Sequence, residues 1–238
     1  MRALLIGLLT VMVALLAGTE ALLPPFLAAR VADGLAASLG SAAVEVQMRS
    51  FPAYRMLAGD VDRMTVTVSG VEVDGLAVES LRLQAAGVHL DVAGLLRGQV
   101  GGGGWPLTED GAATVEAVVT ETALKEWVRA QLPEQVDVQV KVGTAGVELR
   151  GRTTVLGIAM DVAVLGRVEP SADGSQLVFV PETVSVGGQA LADWVAQGIR
   201  EMYKAAVDLN AAPVPLVVEE VVHQPGRLVI AGRTRSEG

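Results

Sequence analysis

The chain has 238 residues, a net charge of −9 and no cysteine, and it is 51% hydrophobic but only 3% aromatic. This length suffices for a sizeable hydrophobic core, and the apolar fraction excludes general disorder. The excess of negative charge argues against a nucleic-acid partner, because phosphates require a basic protein face, and against electrostatic docking on anionic lipid. The absence of cysteine excludes disulfides, thiolate zinc sites and cysteine nucleophiles.

Residues 1–23 form a distinct N-terminal segment. Arg2 precedes an apolar run over residues 3–17, which is followed by small residues. This pattern is typical of a signal peptide. Extended to residue 23, the run contains only Glu20 as a charge and is long enough for an uncleaved membrane anchor. Both alternatives stay open, and both predict that residues 24–238 are one exported domain, either secreted or tethered at the N-terminus.

A first helix is predicted over residues 25–39. Leu27, Val31 and Leu35 recur at every fourth position and would form one apolar stripe. Pro25 suits the first turn of a helix. Because proline interrupts helices, Pro24-Pro25 is expected to separate this helix from the N-terminal segment.

Alternating apolar and polar residues predict strands over most of the remaining chain. A hairpin turn is expected at Asp74-Gly75, and a short helix or turn at 92–96. The predicted strands are 44–49, 61–73, 78–92, 136–142, 145–151, 153–168, 176–186, 216–222 and 227–234. Further turns are expected at Asp173-Gly174 and at Pro225-Gly226.

Two further helices are predicted, each with one apolar face. The first spans Thr122–Leu132 and places Leu124, Trp127 and Val128 on one side. The second spans Gln189–Val207, and its apolar stripe comprises Leu191, Trp194, Val195, Ile199 and Met202. Antiparallel strands with a few helices packed on one face make the predicted fold class α+β.

Residues that could catalyse a reaction or bind a metal form no recognisable motif. His89 and His223 lie far apart in strand-like stretches, so we interpret both as histidines on a strand surface rather than metal ligands. Asp60 and Asp62 would share one face of a strand, as a cation site requires, but the ordinary alternation around them favours a solvated strand end. The sequence therefore predicts no catalytic residue, no metal and no cofactor.

The apolar helix faces have two interpretations. In the first, the helices cover the sheet and close the core, as in a scaffold or adaptor protein without a ligand cavity. In the second, helices and an aliphatic sheet face each other across a groove for acyl chains. The candidate lipid-binding residues, inferred from the helix faces, are Leu27, Val31, Leu35, Leu124, Trp127, Val128, Leu191, Trp194, Val195, Ile199 and Met202.

Short motifs spread over residues 24–234 carry a family resemblance. They are Pro25–Ala28, Phe51-Pro52, Leu57–Val66, Val73–Leu76, Val119–Leu124, Phe179–Pro181 and Val186–Gly188. In their order and spacing, the chain resembles the LmeA-like phospholipid-binding family of exported bacterial proteins.

The resemblance implies a protein of the extracytoplasmic cell envelope that binds phospholipid or another acyl lipid and associates with membrane. It also implies a strongly curved antiparallel sheet wrapped on a long helix, similar to tubular lipid-binding domains. We therefore expect a non-catalytic phospholipid-binding or lipid-carrier protein. The alternatives are an envelope scaffold without a cavity and a hydrolase or transferase that depends on Asp60 and Asp62.

Overall fold

The computed structural model describes residues 2–39, 43–96, 113–132, 138–155, 158–191, 206–212 and 216–234. The chain divides into two compact units. Unit 1 comprises Met1–Val68, Arg82–Ala113 and Ser236–Gly238, and unit 2 comprises Ser69–Leu81 and Thr114–Arg235. The prediction of one domain over residues 24–238 stays a prediction.

Unit 1 contains the N-terminal helix and the open end of a long hairpin. Its elements are α1 (Arg2–Leu39), β1 (Ala43–Arg49), a 3-10 helix (Ala53–Ala58), α2 (Val92–Leu96) and parts of β2 (Asp60–Val73) and β3 (Leu76–His89). Within the unit, β1 pairs with β2 and β2 pairs with β3. The predicted stripe Leu27, Val31 and Leu35 is buried, which confirms that this face of α1 packs inward.

Helix α1 continues through Pro24 and Pro25, so the predicted separation at these prolines is wrong. Proline has no N–H group, and the carbonyl groups four residues earlier, at Glu20 and Ala21, therefore lose their helical donors. Ala21 is exposed and Glu20 is half-buried. Among the residues with described side chains, no helix is long and apolar enough to cross a membrane.

Unit 2 contains two sheets and one amphipathic helix. Its elements are β4 (Thr114–Thr120), α3 (Glu121–Gln131), β5 (Val138–Gly143), β6 (Gly146–Val155), β7 (Ile158–Pro170), β8 (Gln176–Val186), β9 (Gln189–Ala190), β10 (Ala206–Asp208), a 3-10 helix (Leu209–Ala211), β11 (Leu216–Gln224) and β12 (Arg227–Thr234). One sheet has the order β2-β3-β4-β12-β11 in this unit, and the other has the order β10-β8-β7-β6-β5. The antiparallel pairings confirm the α+β class.

The predicted turn at Asp74-Gly75 is confirmed, with φ values of 50° and 77° that suit a tight hairpin. Two contacts from elsewhere in unit 2 hold it. The indole N–H of Trp127 donates to the Asp74 carbonyl oxygen at 3.0 Å, and the backbone N–H of Asp208 donates to the Asp74 carboxylate at 3.0 Å. The turn therefore fixes the position of Trp127.

Some predicted element ends are wrong. The predicted strand over 78–92 ends at His89, because the Asp91 carboxylate accepts the Gly94 N–H at 2.9 Å and starts α2. The predicted break near residue 152 does not occur, because Gly151 stays in the ladder, paired with Val138 and Val162.

The predicted helix over 189–207 is wrong at both of its ends, where the structure has the strands β9 and β10. Both β9 and β10 pair with β8, so each end is held by the ladder hydrogen bonds of that strand. The middle of this predicted helix, residues 192–205, lies outside the described residues.

Helix α3 begins at Glu121 because Thr120 caps it, its side-chain oxygen accepting the Ala123 N–H at 3.2 Å. Thr120→Ala removes this acceptor, and we expect it to lower the free energy of unfolding by about 1 kcal/mol. Urea unfolding followed by circular dichroism measures the change. Thr122→Ala, at an exposed position of the same helix, is the matched control and should cost nothing, since alanine favours helix. Equal losses in both variants would contradict the capping role.

Candidate functional site

A cavity of about 490 Å³ lies within unit 2. Helix α3 forms one wall, strands β5 to β8 form a second, and residues of β3, β4, β10 and β12 close the inner end. The volume falls in the range of about 300–1,000 Å³ that ligand pockets occupy. The cavity is therefore large enough to be a binding site rather than a packing defect.

The lining of the cavity changes from apolar and buried to polar and exposed. At the inner end, Leu76, Val119 and Ile230 are buried. Other apolar side chains of the lining, such as Val164 and Phe179, are half-buried. Among the described lining residues, the exposed ones are Gln131, Arg150 and Arg152. Because most of the lining side chains are apolar, the cavity suits an apolar ligand such as an acyl chain.

Three of the predicted lipid-binding residues line this cavity. Leu124 and Trp127 of α3 are each 7% exposed, and Val128 is half-buried. Because Trp127 donates its N–H to the Asp74 carbonyl, the indole brings no unpaired donor into the apolar space. That these residues contact lipid stays a prediction.

The other predicted lipid-binding residues lie elsewhere or are not described. Leu27, Val31 and Leu35 are in the core of unit 1, at 1%, 1% and 6% exposure, and they are not among the residues that line the cavity. Leu191 is half-buried, and its backbone N–H donates to the Val184 carbonyl at 2.8 Å. Trp194, Val195, Ile199 and Met202 lie outside the described residues.

Most of the lining comes from strands that the helix-face argument did not include. Leu149, Val162, Val164 and Val184 all line the cavity. The alternation over 145–186 places these residues on the apolar side of their strands, and this was the signal available in the sequence. The sequence does not show which helix packs opposite the apolar side of these strands.

A small void of about 40 Å³ borders the inner end of the cavity. The two share Leu76, Val119, Leu177, Val207 and Ile230 as lining residues. Its lining is entirely apolar, and apolar voids of this kind stay dry. The inner end of the cavity therefore meets loosely packed aliphatic side chains rather than polar groups.

The family comparison connects this geometry with a known class of protein. The family model described as LmeA-like phospholipid-binding matches residues 18–233, nearly the whole chain. The chain belongs to the LmeA-like phospholipid-binding family. This confirms the resemblance found in the sequence and supports a lipid-binding role. Comparison with curated proteins and with solved structures gives no match.

Two of the residues that border the cavity are arginines, and a carboxylate holds each of their side chains. Arg150 donates to Glu148 at 2.8 Å from Nε and at 2.7 Å from Nη2. Arg152 Nε donates to Asp161 at 2.9 Å, and this hydrogen bond raises the pKa of Arg152. In the register of the sheet, both side chains lie on the face of β6 opposite to Leu149, which is paired with Val140 and Val164.

The acidic pair Asp60 and Asp62 lies on the surface of unit 1 of this LmeA-like chain. Arg55 Nη1 is 3.1 Å from Asp62, and His89 Nδ1 is 3.2 Å from Asp60. Asp62 also accepts the Phe51 N–H at 2.9 Å. In the part of the chain that the structure describes, no group of three or more His, Cys, Asp or Glu side chains could hold a metal ion. These contacts give the acidic pair a structural role.

The two histidines of the LmeA-like chain have different environments. His89 is exposed, as predicted. His223 is only 8% exposed, so its predicted surface position is wrong. Its ring Nε2 accepts the Val168 backbone N–H at 3.1 Å. Because Val168 also lines the cavity, His223 supports the cavity wall from behind.

Proposed function

We propose that this protein is a non-catalytic phospholipid-binding or lipid-carrier protein of the cell envelope and that it holds acyl chains in the cavity of unit 2. The observation that carries the proposal is a cavity of about 490 Å³ with a largely apolar lining, in a chain of a phospholipid-binding family. The tubular lipid-binding fold that the family resemblance implies is part of the same proposal.

The physical basis is the burial of acyl chains. Each buried methylene group is worth about 0.8 kcal/mol, so about ten methylenes supply roughly 8 kcal/mol before association costs are subtracted. The buried lining offers no unpaired charge that an acyl chain would have to desolvate. A scaffold without a ligand would instead be expected to fill such a space with side chains.

Exposed apolar side chains in unit 1 support the membrane as the second partner. They are Leu22, Phe26, Phe51, Tyr54 and Leu57, with exposed fractions of 72%, 49%, 79%, 54% and 59%. Leu22 and Phe26 lie on α1, the helix that also contains the apolar run of the N-terminal segment. Because the chain is acidic overall, we expect bilayer contact through these apolar groups rather than through surface charge.

Export to the envelope rests on residues 1–23, either as a cleaved signal peptide or as a retained anchor. The charge and hydropathy of this segment fit both alternatives. An anchored protein would keep its cavity near the bilayer, whereas a cleaved one would move lipid between membranes.

Native mass spectrometry of the full chain, purified in a mild non-ionic detergent, tests the proposal. We expect a bound species with the mass of a phospholipid. A second assay measures the transfer of fluorescent phospholipid from donor to acceptor vesicles, which the protein should accelerate. Absence of both a bound lipid and any transfer would contradict the proposed function.

A further inference from the structure

Helix α3 and strand β5 run side by side along the cavity. The Glu121 carboxylate accepts the Val142 N–H at 2.7 Å, so the helix begins beside the last residues of β5. From Val142 back to Val138, the strand covers about 13 Å. The ten residues from Glu121 to Gln131 cover a similar length of helix, about 15 Å. Because α3 packs on β5, its last turn lies towards the Val138 end of the strand.

The sheet is buried beside the start of α3 and more exposed beside its end. Paired residues form one row across β5, β6 and β7 at each end of the helix: Val142, Val147 and Gly166 at the start, and Val138, Gly151 and Val162 at the end. Val147 and Gly166 are buried, whereas Gly151 and Val162 are half-buried. Val138 is buried, so the more exposed part of the second row lies on β6 and β7.

The side of α3 that faces the cavity shows the same change along the helix. Leu124, Trp127 and Gln131 follow one another at spacings of three and four residues, which places them on one stripe. All three line the cavity. Leu124 and Trp127 are each 7% exposed, whereas Gln131 is exposed and polar. Both walls of the cavity are therefore closed at the start of α3 and open towards its last turn.

We infer that acyl chains enter and leave the cavity between Gln131 of α3 and the paired residues Gly151 and Val162 of β6 and β7. We call this opening the mouth. The inference rests on the proposed function and adds the route by which the ligand reaches its site. The inner end is closed by buried side chains of β3, β4 and β12, so an acyl chain leaving there would have to displace packed core residues.

Gly151 keeps the mouth wide because it has no side chain. Alternate residues of a strand lie on the same side, so a side chain at position 151 would lie on the side of Leu149, which lines the cavity. A larger residue there would project into the mouth. A narrower mouth raises the barrier that entry and exit share, so both rates fall together. The amount of lipid bound at equilibrium is then unchanged.

A removable block at Gln131 tests the route. The chain contains no cysteine, so Gln131→Cys gives it a single thiol, to which a bulky methanethiosulfonate reagent attaches through a disulfide. Full-length protein loaded with pyrene-labelled phosphatidylcholine is mixed with excess unlabelled phosphatidylcholine vesicles, and pyrene fluorescence follows release. We expect the block to slow release and uptake about tenfold or more. The amount bound at equilibrium should change less than about twofold, and dithiothreitol should restore both rates.

The matched control is Thr122→Cys with the same reagent. Thr122 is exposed in the first turn of the same helix and is not among the residues that line the cavity. The attached group should leave both rates as they are in the unmodified variant. Equal slowing in the two variants would overturn the inference, since any bulky group on α3 would then have the same effect.

A second substitution narrows the mouth from the sheet. Gly151→Leu should slow uptake and release by about tenfold. Its control is Gly143→Leu on β5, outside the lining, where an added Cβ would meet no atom within 4 Å. This control should exchange lipid at the unsubstituted rate. If Gly151→Leu fails to fold, the block at Gln131 decides alone, because it compares one folded protein before and after reduction.

The remaining outcomes separate this inference from the proposed function. If the protein binds and exchanges lipid at the same rate with and without the block at Gln131, the inference alone fails. If the block lowers the amount bound and leaves the release rate unchanged, Gln131 belongs to the binding site and not to its entrance, which also overturns the inference. If the unsubstituted protein binds no lipid, the proposed function fails and the inference fails with it.

Discussion

Val164→Trp is expected to prevent phospholipid loading while the protein stays folded. Val164 is a half-buried residue of β7 that lines the cavity. Its partners in register are Leu149 and Val184, which also line the cavity. An indole at this position would fill space that the acyl chains need. We expect at least a tenfold decrease in bound phospholipid per protein, because roughly ten lost methylene contacts would cost several kcal/mol.

The measurement is native mass spectrometry together with the vesicle-transfer assay. Introducing a larger side chain into a packed core usually costs about 1–3 kcal/mol of stability, but a cavity of about 490 Å³ has room for it. Thermal unfolding should therefore change little. The matched control is Val222→Trp, the same replacement at a strand position that is 39% exposed and outside the lining. Normal loading of Val164→Trp would refute the cavity as the lipid site.

The sequence predicted the elements of the cavity better than the cavity itself. The spacing of Leu124, Trp127 and Val128 identified the face of α3 that lines it. Strand alternation identified the apolar sides of the sheet, but it does not tell which strands lie opposite a helix. The same spacing on α1 marked Leu27 and Val31, which are buried in unit 1 and not in the cavity. Helical periodicity indicates that one face of a helix is buried. The tertiary structure determines whether that face packs into a core or lines a cavity.

The wrong prediction at Pro24 and Pro25 concerns a region with a contact between residues far apart in the chain. Pro24 and Pro25 were expected to end a helix, yet α1 continues, and beside them the Glu20 carboxylate accepts the Ala53 N–H at 2.7 Å. A hydrogen bond of this range between α1 and the 3-10 helix cannot be inferred from local propensity.

His223 was also misplaced, and its buried position leads to the second large effect. Its Nε2 accepts the Val168 N–H at 3.1 Å, so this nitrogen carries no proton and the ring is neutral. Burial lowers the pKa of His223, and repulsion from Arg167 lowers it further, while Glu169 and Glu182 oppose the shift. Protonation would replace the acceptor with a second donor facing the Val168 N–H.

The direction of the pH dependence follows from this lowered pKa. In the unfolded chain, histidine takes up a proton near pH 6.5. The folded protein resists protonation until the pH falls below the lowered pKa of His223. The unfolded state therefore binds more protons in this window, and stability that is complete above about pH 6.5 is lost as the pH falls, by at most about 1.4 kcal/mol per pH unit.

Two substitutions of His223 separate the hydrogen bond from the titration. His223→Leu leaves the buried Val168 N–H without its acceptor and should lower the free energy of unfolding by about 1–3 kcal/mol at pH 8. His223→Gln retains a side-chain oxygen that can accept this N–H but does not titrate, so its stability should be nearly constant from pH 8 to pH 5.5. Urea unfolding at pH 5.5, 6.5 and 8 measures both effects.

The control is His89→Gln, at the exposed histidine. This variant should lose as much stability between pH 8 and pH 5.5 as the unsubstituted protein does. If His223→Gln lost as much stability between pH 8 and pH 5.5 as the unsubstituted protein, His223 would not be the titrating group. The hydrogen bond from the Val168 N–H to His223 would then contribute the same stability at pH 8 and at pH 5.5.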